Sequence, residues 1–147
     1  MIEQHYGDIK VPKHLHKQLE RILGHAPIPN NTERLIINCR QKSYYQTRKG
    51  AHPVEIQLKR VNSSDKWNIV FFASFSYPNE HASKVEPELY FHLTNKWCYQ
   101  PDTGSVDLST PEASERLNSW MHALDRHLLR NLFDKVLVTI LATHDEQ

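Results

Sequence analysis

Glycine is scarce in this chain of 147 residues, which has four glycines, at positions 7, 24, 50 and 104. Phosphate-binding loops and dinucleotide fingerprints need several glycines close together, because their backbone must approach a phosphate group closely. The sequence contains no such cluster and no GxSxG nucleophile elbow. It therefore lacks the motifs of the common nucleotide-dependent enzymes and hydrolases.

Cysteine is also rare, since Cys39 and Cys98 lie 59 positions apart and the sequence has no CxxC pair. Isolated cysteines of this kind are typical of small buried side chains in a reducing compartment. The ten histidines form no HExxH motif and no Cys/His quartet, and no acidic calcium loop is present. We therefore predict neither a metal site nor a cofactor.

Long apolar runs and a strong net charge are missing as well. The longest apolar run, Ile69 to Ala73, is far shorter than the roughly 20 residues needed to cross a bilayer. The net charge is +1, and the first ten residues have no apolar core of the signal-peptide type. We expect a soluble, cytoplasmic protein without a membrane partner.

Two segments have the periodicity of amphipathic helices. The first runs from Val11 to Gly24, with Pro12 in its first turn and apolar residues at helical spacing. The second has Thr110 as its N-cap and Pro111 as its first helical residue. Its apolar stripe consists of Ala113, Leu117, Trp120, Met121, Leu124, Leu128 and Leu132.

The remaining apolar segments alternate with period two or are rich in β-branched residues, which predicts strands at 34–40, 54–59, 66–77, 88–93 and 96–100. In the segment 66–77 we expect Ile69 and Phe71 on one face and Phe72 on the other. Residues 135–142 fit either a last strand or an extension of the second helix, and their β-branched content favours the strand. The order predicts a single α+β domain, residues 1–147, in which an N-terminal helix and a long C-terminal helix pack on a mainly antiparallel sheet.

Charge is distributed unevenly along the chain. Residues 34–60 carry seven basic groups against one acidic group, whereas residues 80–115 carry seven acidic groups against two basic groups. Regions of opposite charge complement each other, so the pattern favours a homo-oligomer or a complex with a protein partner.

Residues 40–50, here called the basic segment, combine cations with two neighbouring tyrosines. We predict an exposed loop, because the segment has no apolar face of period two. Such a loop binds single-stranded nucleic acid weakly, with cations on phosphates and rings on bases, although runs of charge more often only solvate a surface. The candidate residues for this disfavoured alternative are Arg40, Lys42, Tyr44, Tyr45, Arg48 and Lys49.

Three short motifs resemble a small bacterial family of unknown function: GAHPVEI at 50–56, FSY at 75–77 and PEL at 87–89. Members of that family carry a Gly-x-His-Pro-Val-Glu-Ile strand and a Phe-Ser-Tyr strand end. The chain departs from the pattern at Ser74, where the family has an acidic residue, and in the segment after PEL. The resemblance implies an α+β domain of a bacterial cytosolic protein and implies no reaction.

The polar positions that match the family are His52, Glu55, Ser76 and Tyr77, and they are our candidate ligand-binding residues. A hydrogen-bond network that holds the strand ends together explains them equally well. An enzyme with a dispersed site requires His52, Glu55 and Tyr77 to converge, yet residues three apart on a strand face opposite sides. We assign no catalytic residue and favour a non-catalytic binding or protein-interaction module.

Overall fold

A computed structural model describes residues 1–144 of the protein. The chain begins with a small hairpin and a helix and ends with a long helix and a strand. In chain order the elements are β1 (His5–Tyr6), β2 (Ile9–Lys10), α1 (Lys13–Gly24), β3 (Thr32–Arg40), α2 (Lys42–Thr47), β4 (Val54–Lys59), β5 (Asn68–Ser76), β6 (Glu86–His92), β7 (Trp97–Gln100), β8 (Gly104–Asp107), α3 (Pro111–Leu129) and β9 (Lys135–Thr143).

Seven strands form one antiparallel sheet in the order β8-β7-β6-β5-β4-β3-β9. The first six follow one another as neighbours, whereas β9 returns after α3 to pair with β3. The predicted α+β fold is confirmed, and the ambiguous C-terminal segment is a strand rather than an extension of α3.

The helices α1 and α3 pack against each other and cover one face of the sheet, which we call the covered face. Thr110 caps α3 as predicted, since its Oγ1 accepts a hydrogen bond from the backbone N–H of Ala113 at 3.4 Å. Each fully buried leucine or isoleucine of this core contributes about 1.5–3 kcal/mol. The core includes Leu15, Leu19, Ile37, Ile56, Phe72, Phe91, Leu117 and Met121.

The opposite, uncovered face carries side chains that are half-buried or exposed, including Arg34, Gln57, Phe71 and Tyr90. The prediction that Ile69 and Phe71 share a face was wrong. The register passes from the pair Gln57–Phe71 to the pair Leu58–Ile69, so β5 has one extra residue there. This β-bulge reverses the alternation, and both Ile69 and Phe72 reach the core.

The basic segment is not a loop, because its residues Lys42–Thr47 form the short helix α2. The carboxylate of Asp134 accepts the backbone N–H of Lys42 at 2.8 Å, which satisfies one free donor at the start of the helix. Tyr44 points inward and is only 3% exposed. Burial of this ring and a contact 92 positions away in the chain stabilise a turn that local periodicity does not reveal.

Candidate functional site

His52 lies just before β4, and its partner is Glu88 in β6 rather than Glu55. The His52 Nδ1 and the Glu88 Oε2 are 2.6 Å apart. Glu88 reaches the covered face because β6 has an irregular register there, with Leu89 opposite Ser74 and Pro87 opposite Phe75. The hydrogen bond to Glu88 raises the pKa of His52 above its ordinary value, although burial acts in the opposite direction.

Glu55 lies on the uncovered face, between the buried positions Val54 and Ile56. Its strand neighbours are Asn38 and Ala73. Burial raises the pKa of the Glu55 carboxyl, and the nearby charge of Arg40 lowers it. The enzyme site that required His52, Glu55 and Tyr77 to converge is therefore not formed.

Ser76 and Tyr77 lie at the end of β5, beside α2. The backbone N–H of Tyr77 donates to the hydroxyl of Tyr44 at 3.3 Å, and the two rings stack with centroids 5.7 Å apart. Tyr44 also contacts the ring of His52 at 4.8 Å. Ser76 pairs with Glu86 at the strand end and lies outside these ring contacts. Tyr44 thus links Tyr77 to His52.

A cavity of about 280 Å³ opens between α3 and the middle strands of the covered face. Apolar walls and a few polar groups meet in it, which is the composition typical of small-molecule sites, and its volume is just below their usual range of about 300–1,000 Å³. Its lining residues are Gly50, His52, Val54, Ser74, Glu88, Trp120, Ala123, Leu124 and His127.

Gly50 enters this lining with a backbone conformation that other residues rarely adopt, at φ +106°. A Cβ at this position would clash with the side chain of Gln41. That side chain is engaged already, because its Oε1 accepts the backbone N–H of Ala51 at 2.6 Å. Glycine at position 50 therefore lets the chain pass from α2 into the cavity wall.

Two further polar side chains, Ser74 and His127, lie in the cavity wall. The indole N–H of Trp120 donates to Ser74 Oγ at 3.1 Å, which satisfies both groups in a largely apolar wall. His127 of α3 packs edge-on against Phe133 at 6.1 Å. Burial lowers the pKa of His127, and the positive charges of Arg126, Arg130 and His52 lower it further. The pKa of His52 is thus raised and that of His127 lowered.

Sequence reasoning identified His52 and missed its companions in the cavity. Glu88 belongs to the PEL motif of the family resemblance, and Ser74 is the position where that pattern is broken. In the sequence Trp120 is one residue of the apolar stripe of the second helix. No sequence pattern indicates that His127 lines this cavity. Its proximity to Glu88 results from the packing of α3 beside β6, which brings together residues distant in the chain.

The basic segment offers fewer free groups than predicted. Tyr44 is buried, and the guanidinium of Arg48 stacks over Tyr77 at 4.0 Å while donating to the carbonyls of Asn79 and Glu80. Tyr45 is 39% exposed. The cations that remain exposed without these contacts are Arg40, Lys42 and Lys49.

A second concentration of aromatic rings lies on the uncovered face and was not predicted as a group. We call Phe71, Tyr90, His92, Trp97 and Tyr99 the aromatic cluster. Trp97 stacks on Tyr90 at 5.1 Å and on His92 at 5.3 Å. Because the ring faces contact one another, they are less available for stacking on a nucleic-acid base.

Within residues 1–144, no group of three His, Cys, Asp or Glu side chains is placed to hold a metal ion. No helix in that part of the chain is long and apolar enough to cross a membrane. Both cysteines are free and buried, and burial raises the pKa of the Cys39 thiol to about 12.

Two solved structures from Vibrio cholerae share this fold. One is the hypothetical protein VC0508 of the VSP-II pathogenicity island, at TM-score 0.78 and 23% identity, covering 89% of this chain and 93% of that one. The other is the conserved hypothetical protein VC1805 of pathogenicity island VPI-2, at TM-score 0.77 and 23% identity, covering 95% and 100%. VC1805 is described as sharing structural homology with the human P32 protein.

At this level of identity the likeness to the two structures concerns the fold alone. No curated protein matches the chain. One family model, described as a protein of unknown function (DUF2787), matches residues 13–139. Because this match spans most of the chain, the protein belongs to the DUF2787 family.

Proposed function

We propose that this protein is a non-catalytic binding module, and that the cavity beneath α3 binds a small molecule with an apolar body and an anionic head. The observation that carries the proposal is the convergence of His52, Glu88 and His127 beside the apolar walls of one cavity. Sites of this composition use the walls for affinity and the few polar groups for orientation.

The polar groups of the cavity are engaged in ways that favour binding over catalysis. A serine nucleophile needs a base within hydrogen-bond reach, whereas the Oγ of Ser74 accepts from the Trp120 indole N–H, and the residue is only 4% exposed. His52 is paired with Glu88, which orients its ring. The arrangement supplies one imidazole oriented by a carboxylate, that of His52, and a second at His127, with no activated nucleophile.

We infer that the ligand has an anionic head from the positive charges around His127. Arg126 and Arg130 act on it from its own helix and the end of that helix, while His52 acts from across the cavity. Because His52 and Glu88 offset each other's charge as a pair, the net positive charge near His127 comes from Arg126 and Arg130. A carboxylate between the two imidazoles would therefore meet positive charge and N–H donors, while its apolar body packs on Trp120 and Leu124.

The test uses benzoate as the anionic probe and benzamide as a neutral probe of the same shape. We expect benzoate to shift the NMR signal of the Trp120 indole N–H and to bind at least about tenfold more tightly than benzamide, a difference of about 1.4 kcal/mol. His127→Gln should abolish that preference. The exposed His122, on the same helix, supplies His122→Gln as the matched control. If benzoate leaves the Trp120 signal of the wild-type protein unchanged, the proposal is contradicted. So it is if a folded His127→Gln variant keeps the preference for benzoate.

The affinity for benzoate should also depend on pH. His127 has a lowered pKa in the free protein, and a bound carboxylate stabilises its charged form. Binding therefore takes up a proton, and the affinity should rise as the pH falls from about 8 to about 5, through the pKa of His127 in the complex. An affinity that is constant over this interval, or that increases with pH, contradicts the assignment of the anionic head to His127.

A further inference from the structure

Strand β9 forms an edge of the sheet and is unusually long and apolar for that position. It spans nine residues, and within residues 1–144 no strand pairs with its outer side. Val136, Leu137 and Leu141 are 37%, 44% and 50% exposed. An edge strand of this kind presents a row of free backbone N–H and C=O groups beside apolar side chains.

The other edge of the sheet has the features that usually prevent association. Strand β8 has four residues, begins with Gly104 and ends with Asp107. In β9 the only charged residue is Lys135, at its first position, and no proline interrupts it. Natural proteins protect edges with short strands, charges, proline or β-bulges. Apart from Lys135, β9 has of these devices only an irregular register between Ile140 and Ala142, near its end, so the long apolar stretch before it indicates a partner.

The sequence of β9 is close to a palindrome about Thr139. Leu137 and Leu141 lie two positions to either side of it, and Val138 and Ile140 lie one position to either side. We propose that a second copy of this chain pairs with β9 in antiparallel orientation, with Thr139 opposite the partner's Thr139. The dimer joins two seven-stranded sheets into one continuous sheet.

This register suits both the apolar and the charged residues of the strand. It places the exposed Leu137 opposite the partner's Leu141, which follows the irregular register at Ile140, and the half-buried Val138 opposite the partner's Ile140, so that apolar side chains cover one another. Lys135 comes opposite the partner's Thr143, which separates the two lysines by ~26 Å along the strands. A two-fold interface requires a self-complementary surface, and β9 provides one.

A groove beside β9 adds to the contact surface. It lies between α1 and the strand, has a volume of about 330 Å³, and is lined by Arg21, Ile22, His25, Ala26, Val136 and Val138. Antiparallel edge pairing keeps the covered faces of both sheets on the same side, so the groove of each copy borders that of its partner. The apolar groove walls would then lose contact with water.

Sedimentation velocity from micromolar to millimolar protein tests this inference. We expect a concentration-dependent dimer that is insensitive to salt, since the contact is apolar. In the double variant Leu137→Lys/Leu141→Lys, lysines lie opposite one another, and the dissociation constant should rise at least about tenfold. Leu129→Lys is the matched control, because Leu129 is 61% exposed and lies at the end of α3.

Hydrogen exchange gives a second readout that is independent of dimer size. Backbone amides of Lys135–Thr143 that point to the outer edge should exchange more slowly at high protein concentration than at low concentration. A monomer at every concentration overturns the inference. So does a dimer that survives in the double variant, or one that dissociates in high salt, as association through the basic and acidic regions would.

Discussion

The two faces of the sheet receive side chains from the same strands and yet have different chemistry. On the covered face, His52 and Glu88 are paired beside a cavity walled by α3. On the uncovered face, Glu55 lies near Arg40, and rings such as Tyr90 and Trp97 stack on one another. Two residues three positions apart, His52 and Glu55, thus belong to separate environments.

The difference teaches that the partner of a polar residue in a sheet is found across strands rather than along one strand. His52 reaches Glu88, 36 positions away, because β4, β5 and β6 are consecutive neighbours. An irregular register in β6 turns Glu88 to the covered face. The site is therefore a product of sheet order and strand irregularity.

The largest expected effect is a difference in stability between alanine substitutions at two adjacent phenylalanines, one on each face of the sheet. Phe72 is fully buried on the covered face, whereas Phe71 is half-buried on the uncovered face. Phe72→Ala should lower the free energy of unfolding by about 3–5 kcal/mol. Phe71→Ala, the matched control, should cost less than about 2 kcal/mol, since its ring keeps contact with water. Urea denaturation of both variants measures this, and equal losses would contradict the assignment of faces.

A second pair of neighbours tests the packing of α2. Tyr44 is buried and contacts the rings of His52 and Tyr77, whereas Tyr45 is 39% exposed. Tyr44→Ala should lower the free energy of unfolding by about 2–4 kcal/mol, and Tyr45→Ala by less than about 1 kcal/mol. Thermal unfolding monitored by circular dichroism measures both. If Tyr45→Ala is the more damaging change, the orientation of α2 is wrong.

A third prediction compares the carboxylates on the two faces. Glu88→Gln should lower the pKa of His52 towards its ordinary value, while Glu55→Gln should leave it unchanged. NMR titration of the His52 ring measures this directly. If Glu55→Gln lowers the pKa of His52 as much as Glu88→Gln does, the two carboxylates do not lie on different faces.

The pairing of His52 with Glu88 also makes the stability of the fold depend on pH. Because the pKa of His52 is raised on folding, its stabilising contribution is fully present below about pH 6.5, the unfolded value, and is lost as pH rises through the folded pKa. Glu88→Gln should therefore destabilise the protein at pH 6 and have no effect through this pair at pH 9. The pair is partly exposed, so we expect less than about 1 kcal/mol.

Nucleic-acid binding by the basic segment should give the smallest effect. Tyr44 is buried and Arg48 is engaged with carbonyl groups, which leaves one exposed ring, Tyr45, beside Arg40, Lys42 and Lys49. Fluorescence anisotropy with a labelled single-stranded oligonucleotide should show weak binding at low salt, which Lys42→Ala/Lys49→Ala removes. Tight binding at physiological salt would make the nucleic-acid alternative the main function.

The helices α1 and α3 and the strands β3–β7 could be predicted because they depend on local periodicity, whereas the β1–β2 hairpin and β8 were not predicted. Val54, Ile56 and Leu58 alternate along β4, and Thr110 with Pro111 marks the start of α3. The phase of β5 could not be predicted beyond Val70, because an extra residue in a bulge carries no signal in composition or spacing.

The candidate site could be predicted only in part. His52 was identified, but the cavity depends on contacts between α3 and the sheet that bring Trp120 and His127 next to it. The helix α2 was missed because long-range contacts, such as that of Lys42 with Asp134, stabilise it. Tertiary contacts of this kind override local preference and cannot be read from neighbouring residues.

The most direct test of the central claim is an isotope-filtered NOE experiment on the labelled protein with bound benzoate. We predict NOEs from the benzoate ring to Trp120 and Leu124 in the cavity, and a rise in the pKa of His127 when benzoate is saturating. NOEs to Tyr90 and Trp97 of the aromatic cluster instead, with the titration of His127 unchanged, would place binding on the uncovered face and contradict the account.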